Sequence, residues 1–454
     1  MKKIFNCILM AGLLLCLASC DDDSTALPDA VSSRSPKSFD SEMARDWFKL
    51  ECTVVKETPG FFPPQAARAF GYSGLVLYET VVQGWEGAED LAGQVNELEI
   101  SDLPKAQTDQ YEYNWALAAN AALADMMRRM FGENISAENA SRVANLESAW
   151  MQELSQDVAQ EVISRSVDFG RAMSEAIYEY SKTDGGHESY LDPFQLPYTW
   201  PAINGAWVPT GAVPNPLSPN WGNNRPFLLS NIQQGQPAAH TPFDTGNNSE
   251  FYNEAMHVYN VVSNADAEKV EIAKFWADDP FNTCTPTGHT FNIMTQLLEE
   301  NDASLAMAAV GYAKLGIAEN DAFICCWKTK YDYFLIRPVT YIRQHIDPNF
   351  NTLIGTPPFP AYTSGHATEA AAGSRIFTNM FTDGDGYYAF TDRTQLQFGY
   401  SVRNFNNFDE MATECANSRL YGGIHYNTDN LNGLKMGKSV GDNVNHQIDW
   451  PKDF

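Results

Sequence analysis

Apolar residues return every three or four positions through most of this chain. The pattern runs from Ser41 to Lys56, Pro64 to Val82 and Thr108 to Phe131, and then as one long amphipathic stretch from Ala137 to Ser181. Such spacing lays an apolar stripe along one face of a helix, so an all-helical first half is expected. The signal resumes at Ser249 to Val262, Ala265 to Trp276, Thr287 to Glu300 and Ala303 to Trp327. Between the two sets, residues 182–248 change character to Pro, Gly, Asn and aromatics, as in Tyr198-Thr199-Trp200-Pro201. That stretch is too long for an ordinary connection and too aromatic for free disorder. It is expected to be an ordered excursion packed over the helices, as either a lid or a brace. The fold class implied is all-α: helical bundles carrying a long irregular Pro/Gly/aromatic-rich insertion. No internal repeat or heptad stands out.

Composition narrows the function. The chain carries 57 acidic against 30 basic residues, a net charge of −27, which argues against nucleic-acid binding. An anionic substrate is repelled at long range and has to be drawn in by cations gathered locally in a cleft. The N-terminus reads Met1-Lys2-Lys3, an apolar run from Ile4 to Leu17, then Ala18-Ser19-Cys20. This is the pattern of a signal peptide ending in a lipobox. Residues 1–19 are expected to be removed, Cys20 to carry a lipid anchor, and 20–37 to form a flexible tether. The chain would then be an exported lipoprotein held at the outer membrane, facing the periplasm or the surface. Asp21-Asp22-Asp23 resembles an acidic export tag of some surface lipoproteins. Beyond Cys20 the cysteines are Cys52, Cys284, Cys325, Cys326 and Cys415. Their number is odd and no CxxC occurs, so no zinc site is implied, and the sequence does not choose a disulfide pair. Cys325 and Cys326 are expected to pack as small apolar residues.

Three stretches of the last third hold the chemistry. Lys330 is followed seven residues on by Arg337-Pro338, and two helical turns would return both cations to one face. Ser364-Gly365-His366 follows a Pro-rich loop and precedes a helix-like run from Ala367 to Phe381, which puts it at a helix N-terminus suited to an anion. Ser418-Arg419 leads to His425 and Asp429, four residues apart, so that the carboxylate can hold one imidazole N–H and choose which ring nitrogen faces a substrate. Together these describe a pocket for a tetrahedral oxyanion. His187, His240, His257, His289, His345 and His446 show no paired spacing for a metal and read as structural or surface groups.

At these residues the chain resembles the superfamily of vanadium-dependent haloperoxidases and type 2 phosphatidic acid phosphatases. Its pattern is Lys-x6-Arg-Pro, Pro-Ser-Gly-His and Ser-Arg-x5-His-x3-Asp, with Thr363 here in place of the proline. Trp327, Phe359-Pro360-Ala361-Tyr362 and Trp221-Gly222 resemble the soluble haloperoxidase-like branch. The resemblance implies a catalytic bundle at 271–454 and an N-terminal helical half at 38–270 that includes the excursion. On the haloperoxidase reading, His425 supplies a nitrogen to vanadium, and Lys330, Arg337, Ser364, Gly365 and Arg419 hold the vanadate oxygens. His366 is then the acid/base, Lys330 polarises the oxidant, and hydrogen peroxide and a halide are the substrates. The alternative it implies is a phosphatase that needs no cofactor. There His425 attacks a phosphate ester to form a phosphohistidine, Asp429 orients it, and His366 protonates the leaving group. A non-catalytic binder of a phosphorylated ligand is a third class, but would not need His366 and the His425–Asp429 pair together. The features outside the cage favour the haloperoxidase.

Overall fold

The computed structural model describes residues 33–195, 197–383 and 386–453. The expected signal peptide, the lipidated Cys20 and most of the expected tether lie outside them. In chain order the helices are α1 (Glu42–Glu57), α2 (Pro63–Val82), α3 (Trp115–Phe131), α4 (Ala137–Leu154), α5 (Gln160–Ser181), α6 (Leu229–Gln234) and α7 (Glu250–Ser263). They continue with α8 (Ala267–Phe275), α9 (Thr285–Glu300), α10 (Leu305–Tyr333), α11 (Pro338–His345), α12 (Gly365–Phe381), α13 (Phe408–Tyr421) and α14 (Asn427–Gln447). Among the described residues the sheet content is one short antiparallel pair, β1 (Phe390–Asp392) with β2 (Arg403–Phe405), in which Phe390 faces Phe405. The protein is therefore the all-helical molecule that its periodicity implies, and no described helix is long and apolar enough to cross a membrane.

Several boundaries moved for local reasons. The stretch read as one helix from Ala137 to Ser181 breaks after Leu154, where Asp157 adopts a left-handed φ of 58° and turns the chain back. The helix expected from Thr108 begins only at Trp115, because Asn114 caps it by accepting the Leu117 N–H at 3.0 Å. At the other end of the periodic region α10 outruns its expectation and continues to Tyr333.

Two close helix contacts organise the whole. Nearly every residue of α2 and α10 is buried, so these two helices are apolar all round and form the centre. They touch where glycines remove the side chain: a Cβ on Gly74 would lie 2.4 Å from the Tyr312 carbonyl oxygen, and one on Gly316 would lie 2.9 Å from Gly71 Cα. The second contact places the site. Along α14, Gly433, Gly437 and Gly441 recur every four residues on one face and lie against α12, where a Cβ on Gly437 would meet the Thr368 carbonyl oxygen at 1.9 Å. Laying these helices backbone to backbone sets their N-termini side by side, and the Ser364 N–H donates to the Asp429 carbonyl at 3.1 Å. One apolar core runs from Met43 to Trp450, and a smaller one gathers α7, α11 and the chain around Tyr362 and Tyr426.

Candidate active site

Lys330 and Arg337 come together by a different route from the one their spacing implies. Lys330 lies in the last turn of α10, the chain then reverses at Phe334 in a left-handed conformation with φ 50°, and Arg337 is the residue that caps α11. The irregular excursion holds this reversal in place. Trp207 N–H donates to the Phe334 carbonyl at 2.7 Å and Ile336 N–H to the Gly205 carbonyl at 2.9 Å, with Trp200 and Trp207 stacked beside Phe334. His425 and Asp429 likewise do not share a helix. His425 precedes α14, Tyr426 caps it, and Asp429 sits in its first turn, where one carboxylate oxygen takes both the Tyr426 N–H at 3.1 Å and the His425 Nδ1–H at 2.9 Å.

The polar groups converge on a cavity of roughly 220 Å³. Gly365, His366, Arg419 and His425 line it directly, beneath a wall of Phe62, Leu217, Phe323, Trp327, Pro358 and Phe359, with Asp278 and Asp279 at one edge. Lys330, Arg337 and Ser364 are fully buried behind that lining. Ser364 caps α12 by accepting the Ala367 N–H at 3.4 Å, so the positive end of the helix dipole is aimed at the cavity. Arg337 donates to the Phe359 and Ile424 carbonyls at 2.8 Å each and lies 3.0 Å from His425 Nε2. Arg419 donates to the Trp276 carbonyl at 2.6 Å. Lys330 Nζ donates to the carbonyls around it, those of Pro360, Ala361 and Thr363, and so pins the loop that leads into α12.

Electrostatics decides what this arrangement can hold. Lys330, Arg337 and Arg419 are each no more than 3% exposed. Among the described residues, none of them makes a salt bridge to a carboxylate. Burial lowers the Lys330 pKa to about 7, with Arg337 adding to the effect and Asp429 opposing it. Burial also draws Arg419 down. His425 is held well below the ordinary imidazole range, first by burial and then by Arg337, Lys330 and Arg419. It is therefore neutral, with its proton on Nδ1 toward Asp429 and a lone pair on Nε2. His366 is lowered by burial and by Arg419, partly offset by hydrogen bonds to the backbone at Ala277 and Trp276. Burial raises Asp429 to about 7, against the pull of Lys330. Arg337 Nη2, Arg419 Nε and His366 Nε2 are buried and bond to no group among the described residues. Buried cations and donors without partners are costly unless an anion completes them. Among the described residues no group of three or more His, Cys, Asp and Glu is placed to hold a bare metal cation. The chemistry of the donor set suits an oxyanion.

Sequence reasoning missed one part of the surroundings. Of the two roles expected for His289 the structure shows the structural one, and its partners are what the sequence does not signal: it is buried, with Nδ1 2.8 Å from Asp278 and Nε2 2.9 Å from Asp392. Trp276 stacks on its ring at 4.6 Å. This cluster braces the segment whose Trp276 carbonyl holds Arg419 and whose Asp278 edges the cavity. Its members are far apart in the chain, and no spacing signals them.

An all-helical fold with an oxyanion pocket at the paired N-termini of two helices defines the class of protein. The model of the VCPO second helical-bundle domain matches residues 311–351 and 344–449. A bacterial vanadium-dependent iodoperoxidase structure is 30% identical, with TM-score 0.82 over 91% of this chain and 98% of its own. A holo-type bacterial vanadium-dependent chloroperoxidase, 14% identical, superposes with TM-score 0.68 over 93% of this chain and 98% of its own. Vanadium chloroperoxidase of Curvularia inaequalis is 31% identical over 123 residues, which are 22% of this chain and 20% of that protein. The chain thus aligns with about a fifth of that curated relative's length. It belongs to the vanadium haloperoxidase family.

Proposed function

We propose that this protein is a vanadium-dependent haloperoxidase that binds vanadate and uses hydrogen peroxide to oxidise a halide. The observation that carries the reading is the pair of buried guanidinium groups, Arg337 and Arg419, with Lys330 behind them, none with a carboxylate partner among the described residues, around a neutral His425 whose Nε2 is unprotonated. The residues present fit vanadate. Arg337, Arg419, Ser364 and the Gly365 N–H would hold its oxygens, and His425 Nε2 would supply the nitrogen to vanadium. When bound, vanadate supplies a Lewis-acid centre at which peroxide becomes an oxidant for halide.

Everything else is the work of the chain. Asp429 keeps the His425 proton on Nδ1 and so leaves Nε2 unprotonated, 3.0 Å from Arg337 Nη1. His366, neutral and with Nε2 unbonded, is the group suited to move protons in and out of the cavity. Lys330 holds the 360–363 loop against α12 and adds positive charge beside the site. The wall of Trp327, Phe359, Phe323 and Phe62 limits water and strengthens each charge interaction within. Iodide is the halide to test first, because the 30% identical relative is described as an iodoperoxidase. The N-terminal pattern supports a further proposal, that the mature protein is a lipoprotein anchored through Cys20 at the outer membrane, facing the periplasm or the surface.

The test is to express the chain from residue 21, load it with vanadate, and measure peroxide-dependent oxidation of iodide, bromide and chloride. Hydrolysis of a phosphate ester is measured without vanadate. Halide oxidation that His425→Ala abolishes is expected. Ester hydrolysis that vanadate inhibits, with no halide oxidised, would replace this reading by the phosphatase.

A further inference from the structure

Cys52 of α1 and Cys284, the residue before α9, meet at a second cavity of about 510 Å³, which both of them line. Asn292 bridges them: the Cys52 thiol donates to Asn292 Oδ1 at 3.4 Å, and Asn292 Nδ2 donates to Cys284 Sγ at 3.4 Å. Gly288 leaves room for both sulfurs, because a Cβ there would stand 2.4 Å from Cys284 Sγ and 3.5 Å from Cys52 Sγ. The two thiols, themselves buried, therefore lie together in the lining of this cavity. Cys284 is also flanked by Pro280 and Pro286, which both line the reaction cavity. The next residue, Thr285, has a left-handed φ of 68°, an unfavourable conformation for a β-branched residue that the surrounding structure has to enforce. Cys284 thus lies in the same short segment as two residues of the active-site wall.

We propose that Cys52 and Cys284 are a redox-active dithiol that hydrogen peroxide closes to a disulfide, tying α1 to the segment that lines the reaction cavity. The inference rests on the haloperoxidase reading only for the source of peroxide. One sulfur attacks peroxide, the O–O bond breaks, and that sulfur becomes a sulfenic acid as one water leaves. The second thiol then attacks it, the S–S bond forms and another water leaves. Two thiols are oxidised by two electrons, one peroxide is reduced, and both thiol protons end in water. Burial, with Cys284 alongside, pushes the Cys52 thiol up, so the reaction is slow at neutral pH and quickens as pH rises. Cys325, Cys326 and Cys415 are buried away from this cavity and serve as internal controls.

The experiment uses the unmodified mature chain. It is treated with hydrogen peroxide, free thiols are alkylated, and peptides are mapped by mass spectrometry with and without reduction. A reducible cross-linked pair containing Cys52 and Cys284 is expected, with Cys325, Cys326 and Cys415 alkylated. The melting temperature should rise by several degrees and fall back with dithiothreitol, and Cys52→Ser should not respond. Both cysteines remaining alkylatable, or each oxidising separately to a sulfinic acid, would overturn the proposal. Halide oxidation is assayed in parallel on the same sample. A cross-link in a preparation that oxidises no halide supports the dithiol while removing the haloperoxidase reading.

Discussion

Binding a tetrahedral anion should draw a proton into the site, and Lys330 should be the group that takes it. In the protein as it stands, burial holds Lys330 at about 7, beside Arg337 and within reach of Asp429. At pH 8 the ammonium of Lys330 is therefore the minor form. An anion brought against Arg337 and Arg419 relieves the local positive charge and lifts Lys330 back toward its ordinary range near 10.4. Net proton uptake, at most about one proton per anion, should then accompany binding at pH 8. Protonating Lys330 costs about 1.4 kcal/mol for each pH unit above its starting value, so affinity should weaken roughly tenfold from pH 8 to pH 9. Burial draws Arg337 down as well, to about 9, but a guanidinium holds its proton far more tightly than an amine, so Lys330 dominates the slope. Sulfate is the probe, because it does not titrate here. Calorimetry in buffers of different ionisation enthalpy counts the protons, and Lys330→Met should reduce the uptake to near zero. Proton release, or an affinity for sulfate that is flat from pH 7 to 9, would refute the argument. Uptake that survives in Lys330→Met would assign the proton to an imidazole instead.

Other expectations follow from the same geometry. Asp429→Asn replaces the carboxyl group that accepts the His425 Nδ1–H and should lower halide oxidation by roughly 10- to 100-fold, about 1.5–3 kcal/mol, with the fold kept by circular dichroism. Gly437→Ala forces a Cβ into the Thr368 carbonyl. It should destabilise by about 1–3 kcal/mol in denaturant titration and weaken sulfate binding, since it separates the two helix N-termini. His289→Gln breaks the clamp between Asp278 and Asp392 and should cost about 3–5 kcal/mol. His289 is raised well above its ordinary value by those two carboxylates, although burial opposes them. Its stabilisation is therefore fully present below about pH 6.5 and lost as pH rises through the raised value. The stability gap between wild type and His289→Gln should accordingly shrink toward alkaline pH, and a gap that widens there would contradict the assignment.

Much of this was legible in one dimension because it depends on near neighbours. A 3.6-residue apolar period reports a helix wherever it occurs, and Ser364-Gly365 before an apolar run reports a helix start, since capping and dipole are local effects. Residue types are equally local, and Lys330, Arg337, Arg419, His366, His425 and Asp429 could be singled out by their chemistry. The geometry proposed for them was another matter. A shared helix face for Lys330 and Arg337 overlooked the left-handed Phe334, which aromatic partners from the distant excursion stabilise. The His425–Asp429 contact is made across a helix start rather than along a helix.

By itself, then, the chain determined its helical class, the cluster of groups able to hold an oxyanion, and the family to which those groups belong. Only the tertiary structure decided which side chains face the cavity and which stand behind it. It also decided that His289 is clamped between two carboxylates and that Cys52 lies beside Cys284. The reason is that local order follows from the torsions and period of a few successive residues. Burial, protonation and the pairing of distant side chains are instead set by how closely helices pack, and here that is decided by glycines such as Gly74 and Gly437, whose missing side chains let two backbones touch.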